Sequence, residues 1–156
     1  MTSQENKTVS LAEVNKHVPR LNRLFQDISQ IRFQLKDLYT KLDAAGYPPD
    51  EIGEEDSDVV SIPNEHLRDF IVFRGLLDTL KDWILLVEEH GCKVSDVELG
   101  ICEFEAEIDQ RDIKLSWRFG EKEISYWYEK DQEFSDRKPL ETLLNPKSET
   151  QAAPFV

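Results

Sequence analysis

The sequence lacks several features that would place it in a familiar class of protein. It has only two cysteines and one methionine in 156 residues, which is too few cysteines for a disulfide framework. No stretch approaches the roughly 18 consecutive apolar residues of a membrane span, and residues 1–8 lack the apolar core of a secretory signal. We therefore expect a cytoplasmic protein in which Cys92 and Cys102 are reduced core thiols, with one disulfide bond between them as the alternative.

Basic residues are also scarce. Aspartate and glutamate outnumber lysine and arginine by 32 to 19, which gives a formal net charge of −13. This charge opposes binding to the phosphates of nucleic acids and to anionic membrane surfaces. We expect neither nucleic acid nor membrane as a partner.

Motifs that identify a reaction or a cofactor are absent. The chain contains no Gly-x-Gly-x-x-Gly, no phosphate-binding loop and no Gly-x-Ser-x-Gly. His17, His66 and His90 are scattered along the chain, and we interpret them as surface or capping residues rather than metal ligands. The sequence therefore predicts no metal site and no cofactor, and it assigns no catalytic residue.

An apolar seam near the start of the chain predicts the first long helix. Its members recur at alternating spacings of three and four, the period of a coiled-coil helix, and are Leu21, Leu24, Ile28, Ile31, Leu35, Leu38 and Leu42. Ser10 and Glu13 form a capping-box pattern at its start, and Gly46 ends it. Because proline lacks an amide proton and clashes with the preceding turn, we expect residues 10–45 to be helical with a break near Pro19.

A second seam predicts a second helix over residues 64–90. Its members are Phe70, Phe73, Leu77, Leu80, Ile84 and Val87, so the two helices should form a long antiparallel hairpin. Further apolar residues lie around the second helix and need another cover, which is either the C-terminal segment or a second copy of the chain. We take Leu76 and Trp83 on this helix, and Phe33 on the first, as candidates for a dimer interface.

The connection between the helices, residues 46–63, is acidic. It carries Asp50, Glu51, Glu54, Glu55, Asp56 and Asp58 without a basic residue, which is typical of a solvated linker. A cation-binding loop is the alternative, although the residue pattern of an EF-hand is absent.

The period changes to two after Gly91, which predicts a three-stranded antiparallel meander over residues 92–130. With the first turn at Gln110-Arg111, we expect the pairs Glu107–Lys114, Glu105–Ser116 and Glu103–Arg118. In the second hairpin we expect Trp117 beside Tyr126 and Leu115 beside Tyr128, with Trp127 on the polar side. The fold class is α+β. Residues 131–144 should be irregular, 1–9 a disordered tail and 145–156 a mobile tail.

Several residues carry a resemblance to a known family. Trp117-Arg118-Phe119-Gly120-Glu121, then Ile124-Ser125-Tyr126-Trp127, then Phe134, Arg137, Pro139 and Leu140, resemble the prokaryotic "domain of unknown function 2203" family. Leu11, Glu13, Asn15 and Pro19 resemble its opening motif. The resemblance implies a helical N-terminal part and a C-terminal region around a Trp-Arg-x-Gly-Glu motif, without an assigned function. The chain has Tyr128 where we expect histidine in the family, and Glu105 where we expect proline.

The polar face of the meander is the candidate ligand site. We expect Arg118, Glu121, Trp127, Glu103 and Arg137 there, with an arginine that could hold a carboxylate or phosphate and an indole that could stack on a ligand. The alternative is a solvated face with cross-strand ion pairs, in which Arg137 anchors the last segment. Glu103, Glu105 and Glu107 could act in acid–base chemistry or form a solvated row.

From these observations we expect a non-enzymatic interaction or scaffolding module that forms a homodimer through its helices. A different protein is the other partner class that we consider. The alternative function is a small anionic-ligand-binding or enzymatic domain that uses the Trp-Arg-x-Gly-Glu region.

Overall fold

A computed structural model describes residues 10–51 and 61–144, without the side chain of Leu144. The chain divides into two compact units. Of the described residues, 10–25 and 87–144 form the first, here called the sheet unit, and 26–51 and 61–86 form the second, the helical unit. The two expected tails, and Glu54, Glu55, Asp56 and Asp58 of the acidic connection, lie outside the described residues.

Helix α1 spans Leu11–Ala44 without interruption. The hydroxyl oxygen of Ser10 accepts a hydrogen bond from the amide of Glu13 at 3.2 Å, as the capping pattern predicts. The expected break near Pro19 is not present, since the proline lies inside the helix. Proline removes one helical hydrogen bond, and the burial of Val14, Val18 and Leu21 on the same helix offsets that loss.

The helical unit contains residues 26–44 of α1 and most of helix α2, Asn64–Glu88, with a short 3₁₀ helix at Pro49–Glu51. Leu42, Ile62 and Phe70 form its core cluster, and the rings of Tyr39 and Phe73 lie 6.4 Å apart. Successive contacts therefore run in opposite directions along the two helices, as expected for an antiparallel pair. Within residues 10–51 and 61–144, neither helix has a stretch long and apolar enough to cross a bilayer.

The sheet unit contains a five-stranded antiparallel sheet with strand order β1-β2-β3-β4-β5. The strands are β1 (Lys93–Asp96), β2 (Ile101–Ile108), β3 (Arg111–Arg118), β4 (Tyr126–Glu129) and β5 (Lys138–Pro139). A 3₁₀ helix at Phe134–Asp136 precedes β5, and a short helix α3, Glu141–Leu144, follows it. The α+β class is confirmed, but the three-stranded meander is wrong because two short edge strands extend it.

The first hairpin turns at Asp109-Gln110, one residue earlier than expected. Both residues have positive φ, 54° and 65°, as the tight turns that match strand twist require. Glu103 therefore pairs with Ser116, Glu105 with Lys114 and Ile101 with Arg118. The three pairs expected from the sequence are wrong by two residues. A two-residue shift leaves every side chain on its expected face of the sheet.

The apolar face of the sheet packs against the part of α1 that belongs to the same unit. The Phe25 ring lies 5.7 Å from the ring of the fully buried Trp117 and 6.1 Å from that of Phe119. Gly100 permits the close approach of Phe119, because a Cβ at Gly100 would lie 2.5 Å from the Phe119 Cβ. Gly100 also has φ +72°, which disfavours any other residue there.

Candidate functional site

The second hairpin decides which side chains share the polar face of the sheet. Leu115 pairs with Trp127, and Ser116 pairs with Tyr126. The expected pairs, Trp117 beside Tyr126 and Leu115 beside Tyr128, are therefore wrong by one residue, and a one-residue shift moves every side chain of β4 to the other face. Trp127 lies on the apolar face, where it is buried, and two tyrosines lie on the polar face.

Arg137 is the centre of a cluster on this polar face, here called the Arg137 cluster. Its guanidinium forms an ion pair with Glu121 and donates a hydrogen bond to the Ser116 hydroxyl at 3.2 Å. The same guanidinium lies 3.9 Å from the ring centre of Tyr126 and 4.3 Å from that of Phe134. Because the arginine and glutamate side chains are only 15% and 24% exposed, the cluster anchors the segment before β5 to the sheet.

Glu121 also fastens the turn between β3 and β4. Its second carboxylate oxygen accepts a hydrogen bond from the Arg118 amide at 2.8 Å, and its backbone oxygen accepts one from the Trp117 indole at 3.0 Å. The first two residues of the Trp-Arg-x-Gly-Glu motif are thus hydrogen-bonded to its last residue. The side chain of Arg118 in this motif is exposed. No hydrogen bond or ion pair joins the Arg118 guanidinium to another residue of the described chain.

Two asparagines of α1 bind the same turn, and sequence reasoning did not assign them a role. Asn22 donates from its side chain to the Glu121 backbone oxygen at 3.1 Å and accepts from the Gly120 amide at 2.9 Å. Asn15 accepts from the Ile124 amide at 2.7 Å. Asn15 belongs to the opening motif of the resemblance, which was the available signal. No pattern in the sequence indicated Asn22.

Glu103 has two partners on the polar face. It forms an ion pair with Lys114 at 3.4 Å and accepts a hydrogen bond from the Tyr128 hydroxyl. Burial, and then the hydrogen bond to Glu103, raise the pKa of Tyr128 above its ordinary value, so the hydroxyl remains a donor across the physiological range. Tyr128 was not among the expected site residues, because the register error had placed it on the apolar face.

A groove of about 530 Å³ opens beside this ion pair. The residues of strand β1, Ile101, Glu103 and Lys114 line the groove together with residues 132–135, including Phe134. Lys93 and Lys114 contribute amino groups, while three carboxylates also line the groove, those of Asp96, Glu103 and Glu133. The groove can therefore offer both signs of charge to a small molecule.

The expected ligand residues are only partly brought together. Glu121 and Arg137 are paired with each other, and Glu103 lines the groove. Trp127 is on the opposite face, where its indole donates to the Thr142 hydroxyl at 3.1 Å. Arg111 and Lys138 lie 5.1 and 4.5 Å from the centre of that ring, so the aromatic surface already has cationic partners.

The expected interface residues lie in the helical unit. Phe33 is 74% exposed, and Leu76 and Trp83 are half-buried. Four more apolar side chains of α2 are exposed: Ile71, Val72, Leu85 and Leu86. Shallow grooves border Phe33 and the Ile71–Val72 pair. The helical unit therefore presents apolar surface that its described residues do not cover.

The histidines and cysteines of the sheet unit form pairs rather than metal clusters. The Nδ1 atoms of His17 and His90 lie 2.8 Å apart, and burial followed by the charge of His17 lowers the pKa of His90. A hydrogen bond with Cys92, together with burial, raises the pKa of Cys102, and both thiols are free. Across residues 10–51 and 61–144, no three histidine, cysteine, aspartate or glutamate side chains are grouped to hold a metal ion.

Comparison with known proteins identifies the family of the chain. The comparisons with curated proteins and with solved structures gave no match. A family model does match, and it covers residues 7–140, which include the turn fastened by Asn15, Asn22 and Glu121. The chain belongs to the family of uncharacterized conserved proteins DUF2203.

Proposed function

We propose that this protein is a non-enzymatic interaction module that self-associates through its helical unit. Seven large apolar side chains are exposed among the described residues, and five of them belong to this unit. A concentration of exposed large apolar side chains in one unit favours a protein interaction surface there. We further propose a cytoplasmic location, where the free thiols of Cys92 and Cys102 would stay reduced.

Light scattering during size-exclusion chromatography tests this proposal. The expected mass at about 50 µM is twice the chain mass of 18.2 kDa, falling toward the monomer mass on dilution. Trp83→Asp and Leu86→Asp should shift the mass toward the monomer, because a carboxylate at an apolar contact loses its hydration. Leu99→Asp is the matched control, since Leu99 is similarly exposed but belongs to the sheet unit. A wild-type chain that stays monomeric at every concentration would refute the proposal.

A second candidate function is the binding of a small anionic molecule in the groove beside Glu103 and Lys114. The volume of the groove and the amino group of Lys93 favour this function, whereas Lys114 is already paired with Glu103. Nucleoside phosphates, citrate and inorganic phosphate are suitable probes in a thermal-shift screen. Lys93→Ala should abolish a shift caused by such a ligand, whereas Lys130→Ala, outside the groove lining, should preserve it. A shift that survives Lys93→Ala, or no shift with any probe, would rule this function out.

A further inference from the structure

Helix α2 carries a second apolar stripe besides the seam that packs within the helical unit. Its members are spaced mainly by three and four residues and are Val72, Gly75, Leu76, Thr79, Trp83 and Leu86. At 100° per residue, this stripe lies roughly a third of a turn from the first seam. Val72 and Leu86 are 44% and 40% exposed, and Trp83 between them is half-buried. Val72 and Leu86 are therefore available to a partner, and Trp83 is available in part.

Gly75 is unusual at the middle of this stripe. It lies within a long helix and is exposed, and apart from its own helix backbone and chain neighbours no described atom lies within 4 Å of the position that a Cβ would occupy. Its φ is not positive, so the backbone does not require glycine here. Glycine weakens a helix interior relative to alanine. No contact among the described residues explains the glycine, but a shallow depression for the side chain of another molecule would.

Four members of the stripe are arranged symmetrically about Thr79, whereas Leu76 is as far from Thr79 as Asp82, which is not a member. Gly75 and Trp83 are each four residues from Thr79, and Val72 and Leu86 are each seven residues from it. In two antiparallel helices related by a twofold axis, a residue before the axis faces the residue equally far beyond it. An axis at Thr79 would therefore place each Trp83 over Gly75 of the other copy, and each Val72 beside Leu86. The large side chain of Trp83 and the missing side chain of Gly75 occur on the same surface. An isologous contact requires this, because both copies use the same surface.

We infer that two copies of this chain associate through the α2 stripes, antiparallel and with the twofold axis at Thr79. This inference rests on the proposed self-association and specifies its interface. The stripe covers about 21 Å of helix at 1.5 Å per residue, so the contact is at the small end of specific interfaces and the dimer is weak and reversible. Asp82 lies three residues beyond the axis and would face Leu76 of the other copy, which weakens the contact. The two Asp82 carboxylates also repel each other, so added salt should strengthen the dimer.

A substitution that fills the depression tests the geometry. Gly75→Leu should raise the dissociation constant of the dimer by about tenfold or more, because Trp83 can no longer approach the helix. The melting temperature of the monomer should not fall, since leucine is the better helix former. Gly75→Leu combined with Trp83→Ala should regain part of the affinity lost in the single variant. Lys81→Leu adds a leucine outside the stripe and serves as the control.

Cross-linking tests the position of the axis. Thr79→Cys should give a disulfide-linked dimer under mild oxidation, whereas Lys81→Cys, which lies on the opposite side of the helix, should not. A wild-type dimer whose affinity is unaffected by Gly75→Leu would overturn this inference and leave the proposed self-association intact. A monomeric wild-type protein would overturn both the proposed self-association and the inferred interface. Binding of the stripe by another protein or by a lipid vesicle, with a monomeric wild-type protein, would have the same consequence.

Discussion

The sheet unit and the helical unit use their apolar and polar residues differently. In the sheet unit, Trp117 is fully buried and its indole has an acceptor, and Arg137 has a carboxylate, a hydroxyl and two rings around it. In the helical unit, Phe33 and Ile71 are more than half exposed. The difference indicates that the motif residues of the family serve the integrity of the sheet unit, while the helical unit leaves more of its large apolar side chains exposed.

The largest difference in unfolding free energy between the two units is expected when the largest buried ring, Trp117, is removed. Trp117→Ala should lower the free energy of unfolding by about 3–5 kcal/mol, because it leaves a cavity and removes the hydrogen bond to the Glu121 backbone. Phe33→Ala removes a ring that is 74% exposed and should change this free energy by less than about 0.5 kcal/mol in the monomer. Urea unfolding followed by circular dichroism at low protein concentration measures both. Equal losses would show that exposure does not distinguish the two units.

Arg137 and Arg118, both in the family motif region, differ in burial and should therefore differ in their contribution to the free energy of unfolding. Arg137→Ala should cost about 2 kcal/mol of unfolding free energy, because Glu121 and Ser116 lose a shared partner in a half-buried site. Arg118→Ala should cost less than about 0.5 kcal/mol, because that side chain is exposed. Thermal unfolding of the two variants gives the ranking. The reverse ranking would mean that Arg118, rather than Arg137, fastens the turn.

The smallest expected effect concerns pH. Because the folded protein lowers the pKa of His90 below its ordinary value, the folded state binds a proton less readily than the unfolded chain. Stability should therefore fall as pH decreases through about 6.5. The change in melting temperature between about pH 8 and pH 5 should be smaller in His90→Gln than in the wild type.

His66→Gln is the control for the pH experiment, because this histidine belongs to the helical unit and lies against Glu65 instead of a second histidine. This variant should keep the wild-type difference. If His90→Gln also shows the wild-type change in melting temperature between the two pH values, the pair formed by His17 and His90 does not contribute to the pH dependence.

Local patterns predicted much of the fold. The seams of α1 and α2 were visible because burying one face of a helix repeats apolar residues every three or four positions, and the alternation in β2 and β3 was visible for the corresponding reason. The edge strands were not visible, because Lys138–Pro139 has two residues and Lys93–Asp96 has weak alternation. Strands of this length are defined by their neighbours rather than by their own composition.

The candidate site was harder to predict because its register depends on turns. Asp109 and Gln110 have positive φ, which is uncommon for residues other than glycine. The local sequence did not show that the turn lies at these two residues rather than one residue later. The connection between β3 and β4 is held by Asn22 and Asn15, which are 98 and 109 residues away from their partners Gly120 and Ile124. Such distant hydrogen bonds leave no local periodicity, so Trp127 was assigned to the wrong face.

The bonds from Asn15 and Asn22 to the β3–β4 turn also bear on how the chain folds as it is made. The sheet unit takes its residues from both ends of the sequence, whereas the helical unit is continuous. On a ribosome, α1 would emerge long before the turn that its asparagines bind, so all residues of the helical unit are synthesised before the sheet. During that interval residues 11–25 of α1 have no sheet to cover them, so their apolar face is exposed to aggregation until the sheet has been synthesised.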